Sequence, residues 1–260
     1  MQKLLNGMAI DDVAISLLRE ICPPQGYIVA YSGGKDSEVI LDLAKRSGCP
    51  FTAIHHLTTL DSPELVAHVR SRPEVTIQRP KKSLIYWAGR KGIMPTRWRR
   101  WCCDKLKENA IADPLHRPTI TGVRRAESAG RSTRQQVYYC VPRKTTIINP
   151  IVDWKTADVW AYIRQYKLRY CTLYDEGFTR LGCVGCPMSD NQRNDIARWP
   201  KIGRIWAAAA AAVIHPNGLP TLKTAKRYMN GQELYEKWLD GLPLEADAGE
   251  KRIWAVDDDE

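Results

Sequence analysis

Two groups of residues carry chemistry by their type and spacing. The first is Ser32, Gly33, Gly34, Lys35, Asp36 and Ser37. A short apolar run, Tyr27 to Tyr31, precedes it, and a helix-forming stretch follows. Paired glycines let the backbone turn sharply and bring N–H groups against a phosphate. Ser37 falls at the positive end of the following helix, where an anion is stabilised. Lys35 adds a point charge, and Asp36 is placed to hold a cation or to orient the loop. Strand, SGGKDS and helix together read as a nucleotide-phosphate site, with Lys35 and Asp36 as its reactive pair. The glycine spacing is not that of the G-x-x-x-x-G-K-[ST] loop.

The second group is cysteine. The chain has eight, at 22, 49, 102, 103, 140, 171, 183 and 186. Cys102 and Cys103 are adjacent, and Cys183 and Cys186 form a C-x-x-C in a glycine-rich loop. Four thiolates in two tight pairs suit an iron–sulfur cluster, tetrahedral zinc, or a set of free thiols. Adjacent cysteines diverge, which disfavours one shared zinc, whereas a four-iron cluster spreads its ligands wider. Cys22, Cys49, Cys140 and Cys171 read as apolar packing thiols. His55 and His56 sit at a strand end without a metal motif and read as structural.

Charge points to the partner. The 260 residues carry a formal net charge of +10, yet residues 79–144 alone hold 17 Lys and Arg against four acids. That local excess of +13 attracts a polyanion. Trp98 and Trp101 interleave with Arg97, Arg99 and Arg100, an arrangement that suits stacking on bases and gripping phosphates. No apolar run reaches the ~18–20 residues of a membrane span. Asp11 and Asp12 interrupt any signal-peptide core near the N-terminus. The expectation is a soluble, cytoplasmic protein with no membrane partner.

The elements that must position these residues follow from periodicity. Residues 3–20 read as an amphipathic helix. Strands are expected at 27–31, 51–56, 75–78 and 119–123, and helices at 37–45, 62–72 and 103–112. Alternation of this kind predicts an α/β fold, a parallel sheet sandwiched by helices. After Pro150 the pattern turns helical, with helices at 157–166, 192–214 and 231–239, the middle one including the alanines 207–212. An acidic tail, 257–260, closes the sequence. The organisation expected is an N-terminal helix (1–26), a nucleotide domain with the cysteine site (27–190) and a helical extension (191–260).

The SGGKDS loop resembles that of the PP-loop superfamily, the adenine nucleotide alpha hydrolase-like proteins. The chain from about 27 to 190 resembles the PAPS and APS reductases. The resemblance is carried by Trp101 to Lys107 (WCCDKLK), Ile120 to Ser128 (ITGVRRAES) with Arg131, Asp153 to Ile163 (DWKTADVWAYI) and Leu173 to Pro187 (LYDEGFTRLGCVGCP). It implies an ATP, APS or PAPS site in which Ser32 to Ser37 cradle phosphates and Thr59 and Asp61 line the adenosine pocket. It implies that Arg124 and Arg131 contact phosphates or a substrate anion, braced by Glu127 and Ser128. It implies a [4Fe-4S] cluster on Cys102, Cys103, Cys183 and Cys186, and Mg²⁺ bridging the phosphates of ATP.

One family feature is missing. APS and PAPS reductases carry a catalytic cysteine near the C-terminus in E-C-G-[IL]-H, and here no cysteine follows Cys186. The remaining pattern resembles phage PAPS-reductase-like proteins and the ATP-pyrophosphatase component of DNA phosphorothioation systems. That resemblance implies sulfur transfer to a nucleic-acid acceptor activated by ATP, with a cysteine desulfurase as sulfur donor. The alternatives are an APS/PAPS reductase-like enzyme and a non-catalytic iron–sulfur protein that binds nucleic acid.

Overall fold

The computed structural model describes residues 9–108, 113, 115–214 and 230–241. The start expected for the first helix, the end of the 103–112 helix and the acidic tail lie outside these residues. Two compact units interleave in sequence. The first is built from the described residues within Met1–His56, Pro63–Gln78 and Ile111–Gly182; the second from those within Leu57–Ser62, Arg79–Ala110 and Cys183–Glu260.

The first unit holds a six-stranded sheet of β1 (Tyr27–Ala30), β2 (Phe51–His56), β3 (Val75–Gln78), β4 (Thr119–Ile120), β5 (Val137–Cys140) and β6 (Thr145–Ile148), ordered β3-β2-β1-β4-β6-β5. All pairings are parallel except β5 with β6. The parallel sheet read from sequence is therefore mostly parallel, with one antiparallel edge. The hairpin escapes the periodicity reading because its turn uses Lys144 at φ +48° in place of a glycine signal. β4 stops at Ile120, short of the expected Val123. A Cβ on Gly122 would lie 3.2 Å from the Asp36 backbone, so the chain there passes close against the phosphate-loop helix.

Helices α1 (Ile10–Glu20), α2 (Lys35–Ser47), α3 (Pro63–Arg70) and α6 (Thr156–Gln165) complete this unit. α2 buries Val39, Ile40, Leu41, Leu43 and Ala44, and packs against α1 and α6. It ends at Gly48 in the left-handed region, φ +75°. Asp11 of α1 is 1% exposed and accepts from Arg46 at 2.9 Å and Tyr166 at 2.7 Å.

The second unit is helical. It holds α4 (Leu84–Lys91), the short α5 (Trp101–Cys103) running into a π-helical turn at Asp104–Glu108, then α7 (Gln192–Arg198), α8 (Pro200–Ile214) and α9 (Gly231–Leu239). The helix expected across 192–214 is broken at Trp199, because Pro200 starts a new helix at its favoured first position. The alanine run of α8 allows close approach: a Cβ on Gly89 of α4 would meet the Ala212 carbonyl at 3.4 Å. Trp206 is fully buried, its ring centroid 4.6 Å from that of Trp238. No helix among the described residues is long and apolar enough to cross a membrane.

Two outcomes follow. Trp206→Ala removes the centre of the α8–α9 core and costs about 3–5 kcal/mol, read as the shift of a urea midpoint. Burial would raise the Asp11 pKa, but the hydrogen bonds from Tyr166 and Arg46 outweigh it and hold the carboxyl below its ordinary 3.8. The stabilisation is therefore present above that ordinary value and is lost as pH falls through the depressed one. The stability gap between wild type and Asp11→Asn narrows on acidification from pH ~6 to ~3; a gap that widened would refute the assignment.

Candidate functional site

The phosphate loop lies entirely in the first unit. β1 is buried at Tyr27, Ile28 and Val29, and delivers the chain to Ser32 at the carboxyl end of a parallel strand, where ligands bind in open α/β sheets. Gly33 has φ +79°, and a Cβ there would fall 2.6 Å from Leu65 and 2.9 Å from Val69 of α3. The position thus excludes a side chain by conformation and by space. Gly34 caps α2, accepting from the Ser37 N–H at 2.9 Å and the Ser37 hydroxyl at 2.7 Å.

Lys35 is 6% exposed. Its ammonium lies 3.3 Å from Asp36, donates to the Thr179 carbonyl at 3.2 Å and sits over the Tyr174 ring at 5.4 Å. The Lys35 N–H donates to the Tyr174 hydroxyl at 3.0 Å. Asp36 receives Arg124 Nε at 2.6 Å on its other oxygen. Arg124 is 2% exposed and also donates to the Trp154 carbonyl at 3.2 Å and to Thr156. Both Asp36 oxygens therefore accept from cations. The carboxylate orients Lys35 and Arg124. Arg124, expected to contact a phosphate or a substrate anion, is anchored on Asp36 through Nε. Arg131 pairs with Glu127, which also accepts from the Arg124 N–H at 3.0 Å. Tyr174 and Thr179 lie inside the sequence motif LYDEGFTRLGCVGCP, but nothing in their residue types marks them as partners of Lys35.

The cysteine set lies entirely in the second unit. Thr58, Leu60, Cys102, Cys103, Lys107, Cys183 and Cys186 line one cavity of about 20 Å³. The C-x-x-C loop is held by main chain: Val184 N–H donates to the Leu60 carbonyl at 2.8 Å, and Asp61 bridges Cys183. Trp206 Nε1 donates to the Val184 carbonyl at 2.9 Å. Gly185, at φ +67°, leaves no room for a side chain beside Trp206 and Ile196. Thr59, at φ +68°, is exposed, and Asp61 accepts from the Thr58 N–H at 2.8 Å and hydroxyl at 3.0 Å. Both belong to the unit of the cysteines, and the Asp61 carboxylate is engaged in its own turn.

The thiols are tuned unequally. The S–H of Cys102 and then Arg100, whose guanidinium lies 3.5 Å from the sulfur, bring Cys103 down to about 6. The same hydrogen bond, with burial, holds Cys102 well up. Burial raises Cys186. Lys107 is pushed above its ordinary range, because attraction to a thiolate at Cys183, and then to Asp61, outweighs its desolvation. All four cysteines are free. Among the described residues no three ligating side chains are drawn together closely enough to hold a metal ion. The donor chemistry, four thiols on one cavity beside a cation, nevertheless fits a thiolate-ligated cluster in kind.

The basic segment is partly internal. Arg117, Arg124, Arg125 and Arg131 pair with Asp113, Asp36, Asp153 and Glu127. Trp101 is buried, whereas Trp98 is 55% exposed.

The phosphoadenosine phosphosulfate reductase domain model matches residues 26–189. An uncharacterized protein of Methanocaldococcus jannaschii is 32% identical over 199 residues, covering 69% of this chain and 40% of its own. A second from that organism is 32% identical over 188 residues, covering 66% and 44%. The chain thus spans less than half the length of these two relatives. The adenosine 5'-phosphosulfate reductase of Staphylococcus saprophyticus is 28% identical over 174 residues, covering 64% of this chain and 67% of that protein. A crystal structure of phosphoadenylyl-sulfate reductase from Candida auris overlays on 70% of this chain and 97% of its own at 21% identity, TM-score 0.47.

Removing Arg124 leaves Asp36 facing Lys35 alone in a largely buried site. Arg124→Gln costs about 2–4 kcal/mol of stability, below the full penalty for a broken buried pair because Asp36 keeps some solvent contact. Arg124→Lys restores only part, since one ammonium cannot reach Asp36, Trp154 and Thr156 together. Urea titration of the two variants checks both statements; equal stability to wild type in Arg124→Gln would show the pair to be incidental.

Proposed function

The chain belongs to the phosphoadenosine phosphosulfate reductase family, and on that premise we propose that it is a PP-loop ATP pyrophosphatase that activates a nucleic-acid acceptor for sulfur transfer. The observation that carries the proposal is the buried Lys35–Asp36–Arg124 chain at the SGGKDS loop. It holds a cation at the helix N-terminus, where nucleotide phosphates are received. Lys35 neutralises charge on the transferred phosphate as an acceptor oxygen attacks the α-phosphorus of ATP and the bond to pyrophosphate breaks. Asp36 and Arg124 fix Lys35 in position and keep it from collapsing onto another acid. The terminal sulfur of a persulfide donor of the cysteine desulfurase class then displaces AMP from the activated acceptor, leaving a disulfide link to the donor, and an external thiol attacks the donor-side sulfur of that link, so that the terminal sulfur stays on the acceptor and the donor leaves as a mixed disulfide with the thiol. Mg²⁺ is assigned to the phosphates of the incoming nucleotide.

Cys102, Cys103, Cys183 and Cys186 are the residues that would hold a [4Fe-4S] cluster. Bound there, such a cluster supplies sulfur coordination and electron storage. Arg100 and Lys107 favour the thiolate forms that ligation requires. Support for a nucleic-acid acceptor comes from the basic segment and from Trp98, exposed among Arg97, Arg99 and Arg100. Cytoplasmic location accords with eight cysteines, none of them in a disulfide.

A second reading, an APS or PAPS reductase-like enzyme, is favoured by the family match and by relatives named adenosine 5'-phosphosulfate reductase. Product analysis separates the two. Anaerobically purified protein incubated with ATP and nucleic acid yields AMP and pyrophosphate on the first reading. Given APS or PAPS and a thiol reductant, it yields sulfite on the second. Lys35→Ala lowers nucleotide turnover at least ~100-fold while retaining iron. Cys183→Ser with Cys186→Ser loses iron and visible absorption. Sulfite from APS without pyrophosphate release from ATP would overturn the first reading.

A further inference from the structure

The roof over the phosphate loop carries a hydroxyl group that the reaction above does not use. Tyr174 ends the turn Thr172–Tyr174 in the first unit and is half-buried. Its ring stands edge-on to Trp160 of α6, centroids 5.2 Å apart at 87°. Its N–H donates to the Cys171 carbonyl at 3.1 Å. A phenol held by packing and by its own turn keeps its oxygen in place before any ligand arrives.

That oxygen accepts from the Lys35 N–H, the first amide of α2, at 3.0 Å. The Ser32 hydroxyl accepts from the preceding amide, Gly34 N–H, at 3.4 Å. The two hydroxyls converge on one spot. A Cβ built on Gly34 would lie 3.3 Å from the Tyr174 oxygen and 3.5 Å from Ser32 Oγ. Gly34 has φ −85° and ψ 164°, a conformation open to any residue, so strain does not call for glycine there. What glycine leaves is an unfilled space with two hydroxyl oxygens at its edge. Ser32 is exposed and Gly34 half-buried, so that space opens to solvent.

Each hydroxyl takes an amide proton and keeps its own. Neither Ser32 nor Tyr174 donates its hydroxyl proton to a described residue. Burial pushes the Tyr174 phenol above its ordinary 10, outweighing the opposite pull of the Lys35 N–H, so the proton is present at neutral pH. An oxygen that accepts from an amide is polarised, which strengthens the bond it donates onward. The Lys35 ammonium, 5.4 Å from the ring centroid, adds positive charge beside it.

We propose that Tyr174 is a phosphate-contacting residue: its hydroxyl, with that of Ser32, donates to a phosphoryl oxygen of the bound nucleotide in the space before Gly34. This rests on the SGGKDS loop being a nucleotide-phosphate site, which both functional readings share. It gives the stretch LYDEGFTRLGCVGCP a direct part in ligand binding, through a residue 139 positions beyond Lys35.

Calorimetric titration of the anaerobically purified chain with ATP, APS and inorganic pyrophosphate tests it, with adenosine as a ligand that lacks phosphate. Tyr174→Phe removes the hydroxyl and keeps the ring against Trp160. The anion that wild type binds most tightly binds about tenfold more weakly to Tyr174→Phe, the loss of one hydrogen bond to a charged acceptor. Adenosine affinity does not change. Gly34→Ala fills the space on an unstrained backbone, keeps the wild-type circular dichroism and weakens the same anion at least as much. If Tyr174 only caps α2, Tyr174→Phe frees the Lys35 N–H for the anion; affinity then holds or rises, and the proposal is overturned. An equal loss for adenosine overturns it too, because the change then acts away from the phosphates. Wild-type protein that binds none of the three anions overturns the reading of the loop itself, and this proposal with it.

Discussion

A positive charge taken out of water must be given a negative partner, and the first unit is arranged around one such obligation. Lys35 and Arg124 are both almost fully buried, and Asp36 stands between them. Desolvating two guanidinium and ammonium groups without that carboxylate would cost several kcal/mol each. Once the triad is accepted, much of the surrounding structure follows. Arg124 needs acceptors for its remaining donors, and the carbonyl of Trp154 and the hydroxyl of Thr156 supply them at the start of α6. The strand before Arg124 must end early, because Gly122 passes against Asp36. Lys35 needs a roof, and Tyr174 and Thr179 provide it. A loop that looks like a local motif is thus tied to chain segments well over a hundred residues away.

Main-chain pairing plays the equivalent part in the second unit. Cysteines in a loop are useful as a set only if the loop is fixed. Leu60 and Asp61 form a short bridge with Val184 and Cys183, and Trp206 adds a hydrogen bond to the same peptide. The indole is therefore at once the centre of a helical core and a support for the cysteine loop. Gly185 is the concession that lets both happen, since a side chain would collide with that ring.

Much of this was legible in the sequence, and the parts that were not share a cause. The strands β1, β2 and β3 and the helices α2 and α6 declare themselves by apolar period and by the glycines at their ends, which are properties of neighbouring residues. The SGGKDS loop and the C-x-x-C are legible for the same reason: their chemistry is local. What stayed hidden depends on partners distant in sequence. Arg124 reads as a phosphate-contacting arginine, and its anchoring on Asp36, a partner far off in sequence, does not show there. Thr59 and Asp61 read as a nucleotide wall, and the turn that Asp61 closes on Thr58 and its bridge to Cys183 do not show in the sequence. The β5–β6 hairpin lacks the glycine turn that usually announces one. The break at Trp199 was legible in Pro200 but masked by the strong helical run of alanines behind it.

The basic segment shows how composition overstates a field. Its excess is real in number, but several of its arginines are answered by acids within their own unit, Arg124 most completely. An ion pair buried in the fold contributes little to the potential outside it, because its two charges cancel over a distance shorter than the Debye length of ~8 Å at physiological salt. What projects outward is the remainder, cations without an acid nearby and aromatic rings such as Trp98 that keep their faces in solvent. Any polyanion partner is therefore recognised by a narrower set of residues than the count implies. The same reasoning makes the exposed, unpaired cations of this chain more informative about its ligands than the paired ones, however many those are.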